Sequence, residues 1–142
     1  DVDGIQLMWP LPGSVDAAVC LKAIPAAQDV DGHMDGLRFL EKGPEAAAKV
    51  PDVGPPPVAC DGVARILDHY GVKLEGARVA ILGRSWLFGQ PLARLLQARG
   101  ASVEVAHSGS GDEDIQAMCR RADVVIPAMG KPELVHGAWI RP

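Results

Sequence analysis

A short apolar run that ends in a glycine turn is the feature that most constrains the fold. Val79–Leu82 is rich in branched residues, which suits a buried strand. Gly83 ends this run, and from Leu92 the apolar residues recur at helical spacing until Gly100. A strand, a glycine turn and a helix N-terminus together bind phosphate through backbone N–H groups and the helix dipole. The alternative is that Gly83 only turns the chain and Gly89 only lets helix and strand pack closely.

Strands and helices alternate through the second part of the chain. Two further strands are predicted at residues 102–106 and 123–128. A helix starting at Asp112 or Asp114 is predicted between them, with inward positions at Ile115, Met118, Cys119 and Ala122. An earlier helix is predicted to be capped by Asp61 and closed by Gly71, with inward positions at Val63, Ile66, Leu67 and Tyr70. This alternation predicts an α/β fold, a Rossmann-type parallel sheet of right-handed βαβ units with helices on both faces.

The first part of the chain is less regular. A strand is predicted over Ile5–Met8, before Pro10 and Pro12. Ser14 or Asp16 can cap a helix that ends at Pro25. The apolar side of that helix is predicted to include Val19 and Ala23, with Cys20 and Ile24 as further candidates.

Two carboxylates then fall in one turn, at Asp29 and Asp31, before Gly32. Such a pair can bind a cation, orient a substrate N–H group or cap the following helix, and on local pattern alone capping is favoured. A short helix is predicted at residues 37–41. The proline-rich stretch 44–57 is predicted to be a hinge between lobes or a loop that lines a cleft.

Composition narrows the function classes. The 142 residues carry a net charge of -4 without a basic stripe, which argues against nucleic acid as a partner. No apolar run approaches the roughly 20 residues of a membrane span. The three cysteines are widely separated, which indicates unpaired thiols in a reducing compartment such as the cytoplasm. The four histidines show no metal-ligand spacing, so no metal is expected. The chain lacks an initiator methionine and stops where another element should begin, and we expect a longer protein.

The end of the second strand indicates the cofactor. In a dinucleotide-binding unit, a carboxylate there accepts hydrogen bonds from the ribose 2′-OH and favours NAD. This chain instead has Ala106-His107-Ser108, and Arg84 after the glycine turn is placed to reach the same region. Guanidinium, imidazole and hydroxyl donors suit a 2′-phosphate, so NADP is favoured over NAD. The alternative is that Arg84 is a solvated loop residue and His107 an ordinary strand-end histidine.

Several motifs, in order, resemble the methylenetetrahydrofolate dehydrogenase/cyclohydrolase family over nearly the whole chain. The nucleotide-binding signature of that family is similar to Gly83-Arg84-Ser85-x-x-Phe88-Gly89-x-Pro91 followed by His107-Ser108. Downstream, the resemblance continues in Gly130-Lys131-Pro132 and Trp139-Ile140-x-Pro142. Upstream, it includes Gly4-Ile5, Pro10-Leu11-Pro12 and Asp29-Val30-Asp31-Gly32.

The resemblance implies two lobes that face each other across a cleft, usually in a homodimer. Residues 1–58 would be part of a smaller α/β catalytic lobe, and residues 59–142 an NADP-binding domain that is incomplete at its C-terminus. The implied reaction oxidises 5,10-methylenetetrahydrofolate with NADP, followed by hydrolysis of the methenyl product. Asp31 would be the catalytic-site residue that holds the pterin ring, with Met8 and Pro10 also at the folate-like substrate. The implied cofactor-binding residues are Gly83, Arg84, Ser85, Phe88, Gly89, His107, Ser108, Ala128 and Gly130.

The chain departs from the family in its catalytic half. The essential lysine of the family lies in a Tyr-x-x-x-Lys helix upstream of Asp1. Met8 aligns with the family's catalytic glutamine, while Gln6 lies two residues earlier on the same strand face. The cleft motif Pro-Cys-Thr-Pro is replaced by Pro57-Val58-Ala59-Cys60. We therefore expect dehydrogenase activity with weak or lost cyclohydrolase activity. The alternatives are an NADP-binding pseudoenzyme and a family member with a different small-molecule substrate.

Overall fold

The computed structural model of the chain describes residues 2–33 and 56–141. The α-helices in these ranges are α1 (Ala17–Ala23), α2 (Val58–His69), α3 (Gly89–Ala98) and α4 (Asp112–Arg121). The β-strands are β1 (Arg78–Leu82), β2 (Ser102–Ala106) and β3 (Val124–Pro127). Short 3₁₀ helices are formed by Ala26–Gln28 and Gly137–Trp139. The helix predicted at 37–41 and most of the proline-rich stretch 44–57 lie outside the described residues.

The three strands of the described ranges form one parallel sheet in the order β2-β1-β3. The ladder ends where Leu82 is paired with Ala106 on one side and with Pro127 on the other. All three strands therefore present their carboxyl ends at one edge of the sheet. The positions of these three strands and the parallel sheet predicted from the sequence are confirmed.

Helices cover both faces of the sheet because side chains of β1 alternate between them. Val79 and Ile81 pack with a cluster from α2 and α3 that includes Cys60, Leu92 and Leu96. Ala80 and Leu82 point the other way and pack against Ile115, Met118 and Cys119 of α4. The crossover from β1 to β2 runs through α3, and that from β2 to β3 through α4. The predicted Rossmann-type arrangement is confirmed.

Helix α2 starts earlier than predicted, and only two of its four predicted inward positions pack against the core. It begins at Val58, so Asp61 lies inside its first turn, where it accepts a hydrogen bond of 2.6 Å from Nε of Arg65. The buried residues of α2 are Cys60 and Ala64, with Val63 and Leu67 packed at the edge of the core. The prediction that Ile66 and Tyr70 face inward is wrong, since they are 58% and 77% exposed. Small residues mark the face toward the core, and a search for large apolar residues misses them.

Helix α1 follows the cap predicted at Asp16. The Oδ1 atom of Asp16 accepts hydrogen bonds from the backbone N–H groups of Ala18, at 2.8 Å, and Val19, at 3.3 Å. The buried residues are Leu21 and Ile24, whereas the predicted core position Val19 is 63% exposed. Val19 is two residues from Leu21, which places it on nearly the opposite side of the helix.

The predicted strand over residues 5–8 is wrong in the described part of the chain. It is reduced to one parallel bridge between Ile5 and Asp29, with the Ile5 N–H group donating to the Gln28 carbonyl oxygen at 2.7 Å. A strand needs a ladder partner along its length, and the segment around Gln28 turns away after one pairing. Residues 6–8 therefore form no ladder with the described part of the chain, and their side chains instead line a neighbouring cavity.

Candidate functional site

A cavity of about 290 Å³ lies at the carboxyl ends of the three strands. Its lining consists of Gly83, Arg84, Ser85, His107, Ser108, Ala128, Met129 and Lys131. We call it the strand-end cavity. Ligands of open α/β sheets bind in this position, outside the carboxyl ends of the strands, and here the neighbouring strands β1 and β2 lead into helices on opposite faces of the sheet.

The structure brings six of the predicted cofactor-binding residues together in this lining. Phe88, Gly89 and Gly130 were predicted with them but do not line the cavity. Met129 and Lys131 do line it and were missed as binding residues. For Lys131 the available signal was its position, four residues after the end of β3.

Gly83 is where the turn requires a glycine. Its φ of 142° is in a region that residues with a side chain rarely adopt. A Cβ atom at Gly83 would lie 2.7 Å from the carbonyl oxygen of Ala128. The Gly83 N–H group also donates to the Ala106 carbonyl oxygen at 2.8 Å. The turn thus lies between the ends of β2 and β3, in contact with both, and its backbone lines the cavity.

Gly89 provides a close approach between α3 and the same turn. A Cβ atom at Gly89 would overlap the carbonyl oxygen of Gly83 and lie 2.7 Å from its carbonyl carbon. The structure therefore gives Gly89 the packing role that was the alternative reading of the sequence. Gly89 therefore belongs to the signature because a side chain at this position would displace the turn after β1.

The start of α3 is capped from within the turn by Ser85. The Ser85 hydroxyl accepts hydrogen bonds from the N–H groups of Phe88, at 3.2 Å, and Gly89, at 3.4 Å. The Ser85 carbonyl accepts the N–H group of Gln90 at 3.0 Å. The prediction that the N–H groups at the helix start face an anionic ligand is wrong for these three, because Ser85 already pairs them. The polar groups that the cavity offers to a ligand are therefore mainly the side chains of its lining.

The turn after β2 fixes the orientation of His107. Its Nδ1 atom accepts a hydrogen bond from the N–H group of Gly109 at 3.0 Å, and its own N–H group donates to the Ser110 hydroxyl at 3.1 Å. In the neutral imidazole the ring proton is then on Nε2, which is a donor. With Arg84, Lys131 and Ser108, the strand-end cavity has several donors, two of them cationic, and no carboxylate among its described lining residues.

A second cavity of about 390 Å³ lies between the N-terminal segment and the helices. One wall comes from Gln6, Leu7, Met8, Trp9, Asp31 and His33, and the other from Pro57, Val58, Ala59, Leu87 and Phe88. We call it the Asp31 cavity. Predicted substrate-binding residues Asp31 and Met8 line it, whereas Pro10 does not. Phe88, predicted at the cofactor, lies here instead, so the loop 84–88 contributes to both cavities.

Asp31 is held in place by four polar contacts in the described part of the chain. It is only 9% exposed, and its Oδ1 atom accepts a hydrogen bond from Nε2 of Gln6 at 3.1 Å. Its N–H group donates to Oδ1 of Asp29 at 3.2 Å, and its carbonyl oxygen accepts the N–H group of Val58 at 3.2 Å. Its Oδ2 atom lies 3.6 Å from Nδ1 of His33. Asp29 therefore stabilises the turn, while Asp31 presents a carboxylate at the cavity.

An aromatic cluster joins the two cavities, and no sequence pattern indicated it. The ring centroids of Trp9 and Trp86 are 5.0 Å apart at an interplanar angle of 79°. The His33 ring lies 6.2 Å from Trp9 and 6.5 Å from Trp86. Trp86 follows Arg84 and Ser85 of the strand-end cavity and precedes Leu87 and Phe88 of the Asp31 cavity. One loop thus connects both cavities through a side chain packed between them.

Residues 57–142 match the family model described as "Tetrahydrofolate dehydrogenase/cyclohydrolase, NAD(P)-binding domain". The chain belongs to this family. It is 43% identical over 141 residues to the bifunctional protein FolD of Sorangium cellulosum, covering 99% of this chain and 46% of that protein. It is 39% identical over 142 residues to the bifunctional protein FolD of Acidiphilium cryptum, covering 99% of this chain and 47% of that protein.

Solved structures of family members have the same fold. The bifunctional FolD enzyme of Campylobacter jejuni aligns with a TM-score of 0.81 at 31% identity, covering 98% of this chain and 46% of that one. The FolD structure from Trypanosoma brucei, complexed with NADP cofactor and inhibitor, aligns with a TM-score of 0.81 at 33% identity, covering 98% and 45%. The chain spans about half the length of the relatives it matches. The family resemblance inferred from the motifs is confirmed.

The described residues show neither a membrane helix nor a metal cluster. Within 2–33 and 56–141, none of the helices is long and apolar enough to cross a bilayer. The same ranges contain no group of three His, Cys, Asp or Glu side chains that could hold a metal ion.

Proposed function

We propose that this chain belongs to an NADP-dependent oxidoreductase that converts 5,10-methylenetetrahydrofolate to 5,10-methenyltetrahydrofolate. The observation that carries the proposal is the loop 84–88, which lines a cation-bearing cavity and a carboxylate-bearing cavity at once. In this proposal, residues 59–142 form the NADP-binding domain and residues 1–58 contribute part of the catalytic lobe. The family membership and the NADP complex of the Trypanosoma brucei relative support it.

The strand-end cavity suits NADP. The cofactor carries phosphate groups, including one on the 2′ position of the ribose, and the cavity offers Arg84, Lys131, Ser108 and His107. A guanidinium forms charge-assisted hydrogen bonds with phosphate oxygens, and a carboxylate in the lining would repel them. We assign Arg84, His107 and Ser108 to binding NADP and to its preference over NAD. Gly83, Ser85, Gly89, Ala128 and Gly130 would shape the turn and strand ends around it.

The Asp31 cavity suits a folate-like substrate. A carboxylate accepts hydrogen bonds from neighbouring N–H groups, and the pterin ring carries an amino group beside a ring N–H group. Leu87, Phe88 and Met8 provide apolar surface next to Asp31. The bound nicotinamide would supply the chemistry, acceptance of a hydride, while the chain holds and orients the substrate and limits water. Asp31 thus acts in binding, with Met8 at the wall of the cavity and Pro10 outside its lining.

Cyclohydrolase activity is proposed to be weak. Hydrolysis of the methenyl cation needs a group that handles a proton or aligns water. Met8 offers neither, and the Gln6 amide is engaged by Asp31. We further propose that the protein acts as a homodimer and, because Cys20, Cys60 and Cys119 form no disulfide among the described residues, that it works in a reducing compartment such as the cytoplasm.

The test is an assay of the purified protein with 5,10-methylenetetrahydrofolate and NADP. The proposal predicts NADPH formation, with much slower hydrolysis of methenyltetrahydrofolate measured separately without NADP. An Asp31→Asn variant should lose most of the NADPH formation, whereas Asp3→Asn on the exposed N-terminal segment should not. Absence of NADPH formation by a folded protein that binds NADP would contradict the proposal and indicate a binding protein that has lost turnover.

A further inference from the structure

His33 is buried beside the carboxylate of the Asp31 cavity, and one of its ring nitrogens has no hydrogen-bond partner in the part of the chain that the structure describes. The residue is 9% exposed, and its Nδ1 atom is one of two buried side-chain nitrogens that lack a hydrogen-bond partner among the described residues. The other is Nε1 of Trp9. A buried polar group without a partner costs about 1–3 kcal/mol, so such a group at a cavity calls for a reason.

The geometry around Asp31 provides a reason for the unpaired nitrogen. Nδ1 of His33 faces Oδ2 of Asp31 at 3.6 Å, while Oδ1 of the same carboxylate accepts a hydrogen bond from Gln6 at 3.1 Å. A distance of 3.6 Å is longer than a hydrogen bond, yet a small rotation of either side chain would close it. The two carboxylate oxygens are therefore flanked by two different side chains, one amide and one imidazole.

The charge of Asp31 selects the tautomer of His33. An unprotonated Nδ1 would point a lone pair at a carboxylate oxygen, which is repulsive, whereas an Nδ1–H group would point a donor at it. The imidazole is also confined by edge-to-face contacts with Trp9 and Trp86. A ring confined in this way can fix the plane of its neighbour, because it cannot easily rotate away.

We propose that His33 is a positioning residue for Asp31. In the Nδ1–H tautomer it aligns Oδ2 of the carboxylate, while Gln6 aligns Oδ1. The plane of the carboxylate is then fixed, and its remaining lone pairs are directed at the paired N–H donors of a pterin-like ring. This inference rests on the proposed function for the chemical class of its ligand, whereas the pairing of His33 with Asp31 is independent of that class.

The first experiment measures tetrahydrofolate binding by calorimetry in a double-mutant cycle. His33→Phe keeps a ring between Trp9 and Trp86 but removes the nitrogen, and His33→Asn places an amide nitrogen near the Nδ1 position. We expect His33→Phe to weaken tetrahydrofolate binding about tenfold and His33→Asn to restore most of it. In an Asp31→Asn background the effect of His33→Phe should fall to about twofold or less. NADP binding should be unchanged in every variant.

A purely structural role for His33 predicts a different pattern. His33→Phe would then weaken tetrahydrofolate binding equally in both backgrounds, or lower the thermal stability and NADP binding together, and either result would overturn the proposal. So would unchanged tetrahydrofolate binding in His33→Phe.

The second experiment does not depend on a ligand. Nitrogen NMR of the histidine ring in the purified protein should show the Nδ1–H tautomer of His33, and the Asp31→Asn variant should reduce its population. An Nε2–H tautomer that is unaffected by Asp31→Asn would overturn the proposal even if Asp31→Asn abolishes binding. This experiment also distinguishes failure of the His33 proposal from failure of the proposed function. A protein that shows the coupling between His33 and Asp31 and the Nδ1–H tautomer, but forms no NADPH, contradicts only the proposed reaction.

Discussion

The Nε2 amide of Gln6 donates a hydrogen bond of 3.1 Å to Oδ1 of Asp31. The two residues are 25 positions apart in the chain, and both line the Asp31 cavity. Alignment of the prolines placed Met8, not Gln6, at the position of the family's catalytic glutamine. The structure adds Gln6 to the cavity and engages its amide with the carboxylate proposed to bind the substrate.

This contact predicts that Gln6 and Met8 contribute differently to substrate binding. Gln6→Met removes a hydrogen bond to a carboxylate, worth about 1.5–3 kcal/mol, and should weaken tetrahydrofolate binding by about tenfold or more. Met8 is 70% exposed at the wall of the cavity, so Met8→Leu should change binding by no more than about twofold. Calorimetric titration of both variants checks the difference. Equal binding by the two variants would mean that the Gln6–Asp31 contact does not support the ligand.

Gly89→Ala should damage both stability and nucleotide binding. The added methyl group would overlap the carbonyl of Gly83, a backbone group that cannot move aside as a flexible side chain would. We expect a loss of about 2–3 kcal/mol in the free energy of unfolding, measured by urea denaturation, with weaker NADP binding. Gly62→Ala is the matched control, because Gly62 is inside α2 and a Cβ atom there would meet nothing within 4 Å. That control should stabilise the protein by about 0.5–1 kcal/mol, and a similar loss in both variants would refute the close-approach argument.

Asp123 should contribute to stability in a pH-dependent way. The backbone N–H group of Arg78 donates to its Oδ2 atom at 2.7 Å, and the guanidinium of Arg141 donates to its Oδ1 atom. These bonds, with a further one from the Arg78 side chain, lower the pKa of Asp123 from 3.8 to about 2. Because the folded-state pKa is lowered, the stabilisation is complete above the unfolded pKa and is lost as the pH falls from about 4 to about 2.

The corresponding experiment compares urea unfolding of wild type and Asp123→Asn across that pH range. The variant should be less stable at neutral pH and should lose less stability between about pH 4 and pH 2. Asp3→Asn, on the exposed N-terminal segment, serves as the control and should follow the wild type. Parallel pH profiles of wild type and Asp123→Asn would show that the paired carboxylate does not contribute.

The Rossmann-type half could be predicted from the sequence because its signals are local. The apolar residues are nearly continuous in β1 and β3 and alternate with polar residues in β2, and α3 and α4 show helical periodicity. The inward face of α2 was predicted correctly at Val63 and Leu67 and wrongly at Ile66 and Tyr70, because Cys60 and Ala64, which mark the centre of the buried face, are small. The segment 5–8 was predicted as a strand since its composition suits one, but pairing depends on a neighbour that local pattern does not reveal.

The candidate site could be predicted only in part. The residues of the strand-end cavity lie within four residues of the strand ends, so their clustering was predictable from the parallel topology. The capping role of Ser85 was not, because the same residue could face a ligand or its own helix. The contacts of Trp86 with Trp9 and His33 join segments far apart in the chain, and no local periodicity encodes such a meeting.

The most direct test of the account is the binding of NADP and NAD by wild type, Arg84→Ala and Arg65→Ala. Arg84 lines the strand-end cavity, whereas Arg65 lies on the exposed side of α2 and pairs with Asp61. We predict that wild type binds NADP more tightly than NAD. Arg84→Ala should weaken NADP by about tenfold or more and NAD by no more than about twofold, while Arg65→Ala changes neither. Equal binding of NADP and NAD by the wild type, or equal loss of both in Arg84→Ala, would contradict the assignment of this cavity to NADP.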